Sequence, residues 1–358
     1  MTTSRRKVLR VPLAAAAVGA GSLTATGAVA LYTQSPDHNT PEPAHLRGAA
    51  PLPYAQVVAF DLASAGRRAE ALRAAHDAVT AIDGGKYAAW LALGDSILAG
   101  SASRPRRLKR MPSFAGDVLD SSQSHGDLLL QITGASASGA RQAAARALAL
   151  LPQWRVRWRL DGNRPETRSE HGQGLARNPF HFTEGYGNPA SPAGITERAI
   201  VTADQGEPSW AVGGSYQVIR IIRLATDFWD RDSVAAQERI IGRRRDGRWL
   251  DGTPSDERPV FTADALGKIT PLDAHVRRAA PDRRSPPPLV RRGYNYRRGT
   301  GDQGLVFSCF QRDLEKGFEA VQARLEGEAM AKYTLTVGGG YFFVPPPGNT
   351  WLDTLAKE

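Results

Sequence analysis

The segment from Arg177 to Pro189 holds residue types that suit proton transfer. It places Glu184 between aromatic residues and a glycine turn, with His181 three residues earlier. A carboxylate held partly away from water in this way suits general acid–base catalysis. The alternative is a turn carboxylate that caps backbone N–H groups, and the segment alone leaves both interpretations open.

A second segment places a histidine ahead of paired arginines. His275 lies among Asp273, Arg277 and Arg278, and Arg291 follows sixteen residues later. A neutral imidazole can ligate iron through one ring nitrogen. A guanidinium that stays protonated can stabilise a negative oxygen or a propionate. The alternative is a solvated surface histidine among arginines.

The elements that must position these residues indicate two similar α+β halves. Residues 54–206 and residues 207–358 each alternate strands and helices, which predicts antiparallel sheets covered by helices. Both candidate segments lie in long stretches rich in Gly, Pro and Arg, at residues 161–206 and 251–300. The predicted strands are 56–60, 87–93, 127–132, 154–160, 215–224, 305–310 and 341–344, and the predicted helices are 67–82, 140–151, 233–241 and 313–325.

Composition excludes several classes of protein. The 358 residues are 41% hydrophobic and 23% charged, which is typical of a globular chain. Cys309 is the single cysteine, so an internal disulfide, a thiolate zinc site and an iron–sulfur centre are excluded. The net charge of +10 is spread along the chain, and no nucleic-acid recognition module is visible. We expect no nucleic-acid partner.

The first thirty residues are typical of an export signal. Arg5 and Arg6 form a twin-arginine pair, an apolar stretch follows at residues 11–18, and Ala28-Val29-Ala30 ends the segment. This pattern predicts a Tat signal over residues 1–30, recognised by the Tat translocase and cleaved after Ala30. A retained membrane anchor is the alternative. Residues 31–53, with five prolines, predict a linker. The mature protein is expected to be secreted or in the cell envelope, with no stable membrane span.

The order of motifs along the chain resembles the dye-decolorizing peroxidases, a family of haem peroxidases. The resemblance implies a fold of tandem ferredoxin-like halves, of the dimeric α+β barrel type, with haem bound in the second half. The matching segments span nearly the whole mature chain: residues 114–117, 126–128, 177–189, 213–216, 229–231, 241–244, 274–279, 291–296, 304–307, 310–313 and 338–343.

The resemblance also implies roles for individual residues. His275 is expected to be the axial ligand of haem b iron, and Arg291 the distal arginine, with Arg292 as its alternative. Glu184 takes the place of the distal aspartate, and Asn188 that of a distal amide. Hydrogen peroxide and an organic reductant are the implied substrates. Further cofactor contacts are expected at Arg277, Arg292 and Phe307, and electron relays at surface aromatic residues such as Trp229, Trp249, Tyr294 and Tyr296.

Three positions depart from the family pattern. His181 stands where the family has glycine, and Glu184 where it has aspartate. Lys332 occupies the region where a carboxylate usually accepts a hydrogen bond from the proximal histidine, and Glu328 or Asp313 are the candidates to replace it. These departures leave three functions open: a peroxidase, with His181 as a second proton acceptor; a redirected oxidase, peroxygenase or tailoring enzyme; or a haem-binding protein for iron retrieval. A homo-oligomer is also left open.

Overall fold

The first half of the chain follows the order strand, helix, strand, strand, helix, strand. The computed structural model describes residues 42–48, 50–170, 173–257, 261–281 and 287–357. The predicted Tat signal at 1–30 and the predicted linker up to residue 41 lie outside these residues. The elements of the first half are β1 (Tyr54–Leu62), α1 (Arg68–Thr80), β2 (Tyr87–Gly94), β3 (Leu128–Gly134), α2 (Ala137–Ala149) and β4 (Trp154–Asn163).

Small side chains let the two helices of this half lie close against the sheet. Alanine fills the buried face of each helix and brings no side-chain entropy cost. The Ser136 hydroxyl begins α2 by accepting a hydrogen bond from the Gly139 N–H at 3.2 Å. The buried alanines are Ala71, Ala75 and Ala78 in α1 and Ala140, Ala143, Ala144 and Ala147 in α2.

A connecting segment leads to the second half, which repeats the same order with longer insertions. The connection holds a hairpin of β5 (Glu166–Glu170) and β6 (Gln173–Ala176), then α3 (Pro192–Ala199). The second half contains β7 (Ser215–Leu224), α4 (Thr226–Trp229), α5 (Val234–Ile241), α6 (His275–Ala279), β8 (Val290–Arg291), β9 (Tyr294–Arg297), β10 (Gln303–Gln311), α7 (Ala320–Leu325), β11 (Thr334–Val344) and α8 (Thr350–Ala356).

The strands of both halves form one closed antiparallel barrel. In the first half the sheet order is β2-β3-β1-β4, and the corresponding strands of the second half follow the same order as β9-β10-β7-β11. The fourth strand of each half pairs with the second strand of the other, as β4 with β9 and β11 with β2. This arrangement confirms the predicted tandem of ferredoxin-like halves.

The barrel interior contains a buried polar network as well as apolar side chains. The Gln217 amide on β7 accepts from Trp90 Nε1 at 3.1 Å and donates to Gln131 Oε1 at 2.9 Å. His45 lies nearby, hydrogen-bonded to Ser215 Oγ at 2.9 Å. The side chains of Gln217 and His45 thus have the hydrogen-bond partners that burial away from water requires.

Part of the predicted linker belongs to the folded unit. Residues Ala44–Leu46 form a short 3-10 helix, and the side chains of His45 and Leu46 are buried. The His45 ring lies 4.9 Å from that of Phe310 in β10. The prolines predicted a linker here, but His45 and Leu46 pack against the barrel and join this part of the segment to the folded unit.

The two long stretches that hold the candidate residues are structured. Residues 161–206 contain the β5–β6 hairpin and α3, and residues 251–300 contain α6, β8 and β9. Both lead into the second half of the barrel. No helix in the described ranges has the length and apolar character needed to cross a membrane.

Candidate active site

The proximal part of the site is a histidine held by a buried carboxylate. His275 begins α6, and its Nδ1 lies 2.6 Å from Glu328 Oε2, whose side chain is 9% exposed. The carboxylate can only accept, so Nδ1 carries the proton and Nε2 presents its lone pair. Such an acceptor orients the ring and strengthens it as a metal ligand.

Of the two carboxylates that the sequence left open, Glu328 is therefore the one that accepts from His275. Asp313 instead forms an ion pair with Arg107, whose Nε lies 3.1 Å from Oδ2, and accepts from the backbone N–H groups of residues 315 and 316. Lys332 lies over the ring of Tyr333, with Nζ 4.8 Å from its centroid.

The distal carboxylate is held by an amide that the sequence did not single out. Asn178 Nδ2 donates to Glu184 Oε1 at 3.0 Å. The Asn178 Oδ1 accepts from the backbone N–H groups of Phe180 and Phe182, at 3.1 and 3.0 Å. One side chain thus shapes the turn and orients the carboxylate. An Asn-Pro pair is a turn signal that could have directed attention to it.

Asn188 joins the distal loop to the strand that carries Arg291. Its Oδ1 accepts from the Arg291 N–H at 2.9 Å, and its Nδ2 donates to the Arg291 carbonyl at 2.8 Å. Arg291 also donates through its guanidinium to the Tyr186 carbonyl of the same loop. The amide acts through the backbone of Arg291, so Asn188 is a positioning residue in this structure.

Glu184 and Arg291 lie within electrostatic reach of each other. The Arg291 side chain has solvent-accessible surface but is surrounded by protein, as expected for a side chain lining an internal cleft. This desolvation lowers the pKa of Arg291, and the negative charge of Glu184 opposes the shift. Arginine stays protonated under either influence. The hydrogen bonds of Tyr186 and Asn188 thus bring the loop that carries the predicted carboxylate to the predicted guanidinium.

Arg292 is directed away from this cleft. It is buried and donates to the carbonyls of Leu46, Arg47 and Gly48, at 2.7, 2.9 and 2.5 Å. Burial lowers the pKa of Arg292 to about 10. The expectation that it replaces Arg291 or contacts the cofactor is therefore not supported, because alternate residues of a strand point to opposite faces.

Arg277 also has structural partners. Its guanidinium pairs with Asp264 at 3.1 Å, donates to the Thr270 carbonyl at 2.7 Å and lies 5.0 Å from the Phe261 ring centroid. These contacts hold the loop before α6 against the helix. Arg277 thus positions the His275 helix, which corrects its expected role as a cofactor contact.

His181 adopts a backbone conformation that favours glycine. Its φ is +70°, and its Nε2 lies 3.0 Å from Asp230 Oδ1. The left-handed conformation explains why the family pattern has glycine at this position. The histidine side chain, which is larger than that of glycine, is directed toward Asp230 by this contact.

The face of β10 that lies beside Arg291 is apolar. Leu305, Phe307 and Cys309 alternate on the helix-covered face of β10, and Cys309 is the register partner of Arg291. Val276 and Met330 are, like Leu305 and Phe307, only partly buried. These features fit an iron porphyrin, which needs a donor atom such as the histidine lone pair, an apolar face for its ring and a guanidinium for its anionic groups.

The aromatic residues proposed as surface relays are buried. Trp229, Trp249, Tyr294 and Tyr296 are 0%, 1%, 1% and 2% exposed. Their apolar rings fill the core, which is the usual place for such side chains. The expectation that any of them meets a bulky reductant at the surface is wrong.

Comparisons with known proteins place these features in a family. The model of the Dyp-type peroxidase N-terminal domain matches residues 52–164, and that of the C-terminal domain matches residues 175–349. Among curated proteins, the Deferrochelatase of Escherichia coli O6:K15:H31 is 38% identical over 266 residues, and that of Yersinia pestis is 38% identical over 270 residues. Each alignment covers 71% of this chain, but only 63% and 62% of those relatives.

Solved structures agree with the family models. Ferric DtpA from Streptomyces lividans is 29% identical, with a TM-score of 0.75, and the match covers 85% of this chain and 94% of that one. A DyP-type peroxidase from Streptomyces coelicolor is 31% identical, with a TM-score of 0.73 and coverage of 83% and 90%. The chain belongs to the Dyp-type peroxidase family, whose members are haem-binding enzymes.

Proposed function

We propose that this chain is an exported haem b peroxidase that uses hydrogen peroxide to oxidise organic substrates, such as phenols and dyes, by one-electron steps. The observation that carries the proposal is the attachment of the Glu184 loop to Arg291 through Tyr186 and Asn188, with His275 held by Glu328. A proton-transfer group and a fixed positive charge are the two features that peroxide cleavage needs.

Each residue has a defined task in this proposal. When bound, haem supplies an iron that accepts peroxide and stores its oxidising equivalents. Asn178 holds Oε1 of Glu184, so we assign Oε2 to taking a proton from one peroxide oxygen and delivering it to the other. Arg291 stabilises the negative charge that develops as the O–O bond breaks.

The proximal residues prepare the iron ligand. Glu328 accepts the Nδ1 proton of His275, which fixes the ring and makes Nε2 a stronger donor. Asn188 keeps the backbone of Arg291 at the distal loop. His181 contributes by holding the loop to Asp230, rather than as a second proton acceptor.

Export is the part of the proposal that rests on sequence alone. The twin-arginine pair and the Ala28-Val29-Ala30 end support Tat-dependent export with cleavage after Ala30. Expression of the full chain in cells with and without the Tat translocase tests this. Mature protein outside the cytoplasm in both strains, or in neither, contradicts it.

The reaction with peroxide tests the catalytic proposal. The purified holoprotein should show a Soret band that changes within seconds of adding one equivalent of hydrogen peroxide. Glu184→Gln should slow this change by about 100-fold or more, within the range for loss of a general acid–base group. Glu197→Gln, which alters an exposed carboxylate on α3, is the control.

Two further variants separate the possible outcomes. His275→Ala should abolish the native Soret spectrum, and its retention would exclude His275 as the ligand. Glu184→Asp should increase the peroxide rate if the longer carboxylate weakens an ordinary peroxidase. A decrease would indicate that the active site is adapted to glutamate and favour a redirected reaction.

A second candidate function follows from the curated relatives named Deferrochelatase, at 38% identity. In this alternative the chain binds haem and releases its iron for retrieval. Incubation of the holoprotein with a reductant and an iron chelator would then yield metal-free porphyrin fluorescence. Retention of the iron, together with a fast peroxide reaction, supports the peroxidase.

A further inference from the structure

The strand that carries Arg291 is very short. β8 contains only Val290 and Arg291, which both pair with β10. The next residue, Arg292, adds one backbone hydrogen bond, from its N–H to the Ser308 carbonyl at 2.7 Å. Strands in globular proteins usually have about three to ten residues. Because so short a ladder contributes few hydrogen bonds, the position of Arg291 depends on further contacts.

The side chain of Arg292 supplies such contacts on the opposite face of the strand. Successive residues of a strand point to opposite faces, so Arg292 is directed away from the cleft that Arg291 lines. Arg292 is 4% exposed and donates to three consecutive backbone carbonyls, those of residues 46, 47 and 48. In the part of the chain that the structure describes, Arg292 forms no ion pair, so these carbonyls compensate for the burial of its charge.

The three carbonyls belong to residues 42–48, which we call the strap. The strap is closed by Glu42, whose Oε2 accepts from the Gly48 N–H at 3.1 Å. Arg47 joins it to the first half of the chain, because both of its terminal nitrogens donate to the Asp83 carboxylate at 2.9 Å. The strap is therefore held in place independently of Arg292.

The inner side of the strap reaches the strands of the second half. His45 Nε2 lies 2.9 Å from Ser215 Oγ at the start of β7, and its ring lies 4.9 Å from that of Phe310. Phe310 is the register partner of Val290 in β8. Leu46 is 1% exposed and belongs to the same buried cluster as Val290. The strap thus packs beside β8 as well as bonding to Arg292.

β8 is consequently held between two segments. On the distal side, the backbone of Arg291 exchanges two hydrogen bonds with Asn188, and its guanidinium donates to the Tyr186 carbonyl. On the other side, the guanidinium of Arg292 binds the strap. A shift of β8 would carry the Arg291 side chain with it, and a displacement of a catalytic group by about 1 Å can cost about 100-fold in rate.

We propose that Arg292 is a positioning residue for Arg291, and that the strap is the support against which Arg292 sets the position of β8. The proposal rests on the proposed function, because the task of Arg291 with peroxide belongs to it. Arg292 acts through the strand and touches neither substrate nor cofactor. Its planar guanidinium carries N–H donors in a fixed fork, which suits it to bond three carbonyls at once, whereas the ammonium of a lysine is a point charge without that geometry.

Fluoride binding to the ferric holoprotein tests the proposal without turnover. A fluoride ion bound at the iron is an anion that Arg291 stabilises, so Arg291→Gln should weaken binding about tenfold or more, followed by the Soret band. Arg292→Lys keeps the positive charge but not the fork, and should weaken fluoride binding about fivefold. In the Arg291→Gln background, Arg292→Lys should change the fluoride affinity by less than about twofold, because the residue that Arg292 positions is already gone.

Arg104→Lys is the matched control. Arg104 also holds a backbone carbonyl, since its Nε donates to the Leu108 carbonyl at 2.9 Å, and it makes no contact with β8. Its fluoride affinity should equal that of the wild type. Equal losses from Arg292→Lys in the two backgrounds would show that Arg292 acts independently of Arg291. Unchanged fluoride affinity in Arg292→Lys would show that β8 keeps its position without the fork. Either result overturns the proposal.

The strap provides a second test, which also works without haem. Leu46→Ala removes a buried side chain from the strap and leaves Arg291 and Arg292 unchanged. Hydrogen exchange of the apoprotein, measured by mass spectrometry, should become faster in residues 42–48 and 288–293 of both Leu46→Ala and Arg292→Lys, but not of Arg104→Lys. Leu46→Ala should weaken fluoride binding about threefold, less than Arg292→Lys does, because the guanidinium remains. Faster exchange in the strap alone, with wild-type fluoride affinity, overturns the link between the strap and β8.

The two proposals fail in different ways. If peroxide leaves the Soret band of the wild type unchanged, the proposed peroxidase function is wrong, and fluoride binding still decides whether Arg292 positions Arg291. If the Soret band responds to peroxide but Arg292→Lys alters neither fluoride binding nor hydrogen exchange, the peroxidase function stands and the positioning role is wrong.

Discussion

Replacing Asn178 by aspartate should slow the reaction with peroxide and leave the fold intact. In the native protein Asn178 Nδ2 donates to Glu184 Oε1 at 3.0 Å, and its Oδ1 accepts from Phe180 and Phe182. Aspartate keeps an oxygen for the two backbone N–H groups. It replaces the donor toward Glu184 by a second negative oxygen, so Glu184 loses its orienting hydrogen bond and faces a like charge.

The expected loss of rate follows from the energy of the hydrogen bond between Asn178 and Glu184. A hydrogen bond to a charged group stabilises by about 1.5–3 kcal/mol, and this one is only partly buried, so the lower end applies. A displacement of a catalytic group by about 1 Å can cost about 100-fold in rate. We therefore expect the peroxide rate constant of Asn178→Asp to fall by about 10- to 100-fold, at about 1.4 kcal/mol per factor of ten.

The assay is stopped-flow absorption of the Soret band, with urea unfolding of the same preparations. Asn178→Ala also loses the side-chain oxygen that accepts from the backbone N–H groups of Phe180 and Phe182. It should therefore unfold about 2 kcal/mol more readily than Asn178→Asp, at about 1 kcal/mol for each bond. Asn295→Asp is the matched control, because the Asn295 amide donates to the Arg177 carbonyl of the same loop at 2.9 Å. An Asn178→Asp rate equal to wild type, or an equal loss in Asn295→Asp, would refute the reasoning.

Three other predictions follow from the same structure. Glu328→Gln should raise the reduction potential of the bound haem iron, measured by spectroelectrochemical titration, because His275 loses its anionic acceptor; an unchanged potential contradicts this. Burial lowers the pKa of His45 to about 3. Between about pH 6.5 and about pH 3, His45 is therefore protonated in the unfolded chain but neutral in the folded protein. As the pH is lowered through this range, the free energy of unfolding falls by up to about 1.4 kcal/mol per pH unit. Urea unfolding of His45→Gln should lack this part of the pH dependence, and an unaltered slope would count against it. His181→Gly should be about 1 kcal/mol more stable than His181→Ala, because both lose the Asp230 contact but only alanine keeps the left-handed backbone cost; identical urea midpoints would show that the backbone is not strained.

Local sequence patterns predicted the bounds of a strand well where that strand is buried along its length. β7 was predicted with the bounds that the structure has, because its run of β-branched residues is buried on both faces. For β11 the sequence predicted only Tyr341–Val344, whereas the strand begins at Thr334. Glycines weaken the local strand pattern, but a Cβ at Gly339 would lie 2.0 Å from the Ile219 carbonyl oxygen. Glycine is required at residue 339 because β11 pairs with β7, and the sequence of β11 alone does not show this pairing.

The sequence indicated the residue types of the candidate site better than the side chains that those residues contact. The segments of Glu184, His275 and Arg291 stood out because their chemistry is local. Glu328 lies 53 residues after His275, and only the fold decides between it and other carboxylates. The assignments of Arg277 and Arg292 failed for the same reason, because basic residues near a predicted site can face another element.

The cross-pairing of the two halves has a consequence for the order of folding. β11 pairs with β2, and the register joins Phe342 to Gly94, so the barrel closes only after nearly the whole chain has been synthesised. Glu328 lies just before β11, in the last part of the chain to emerge. Contacts between such distant segments form slowly, because the loop between them must be closed first. We therefore expect the newly made chain to acquire a correctly oriented His275 late, and a truncation before β11 to lose haem binding and soluble folding together.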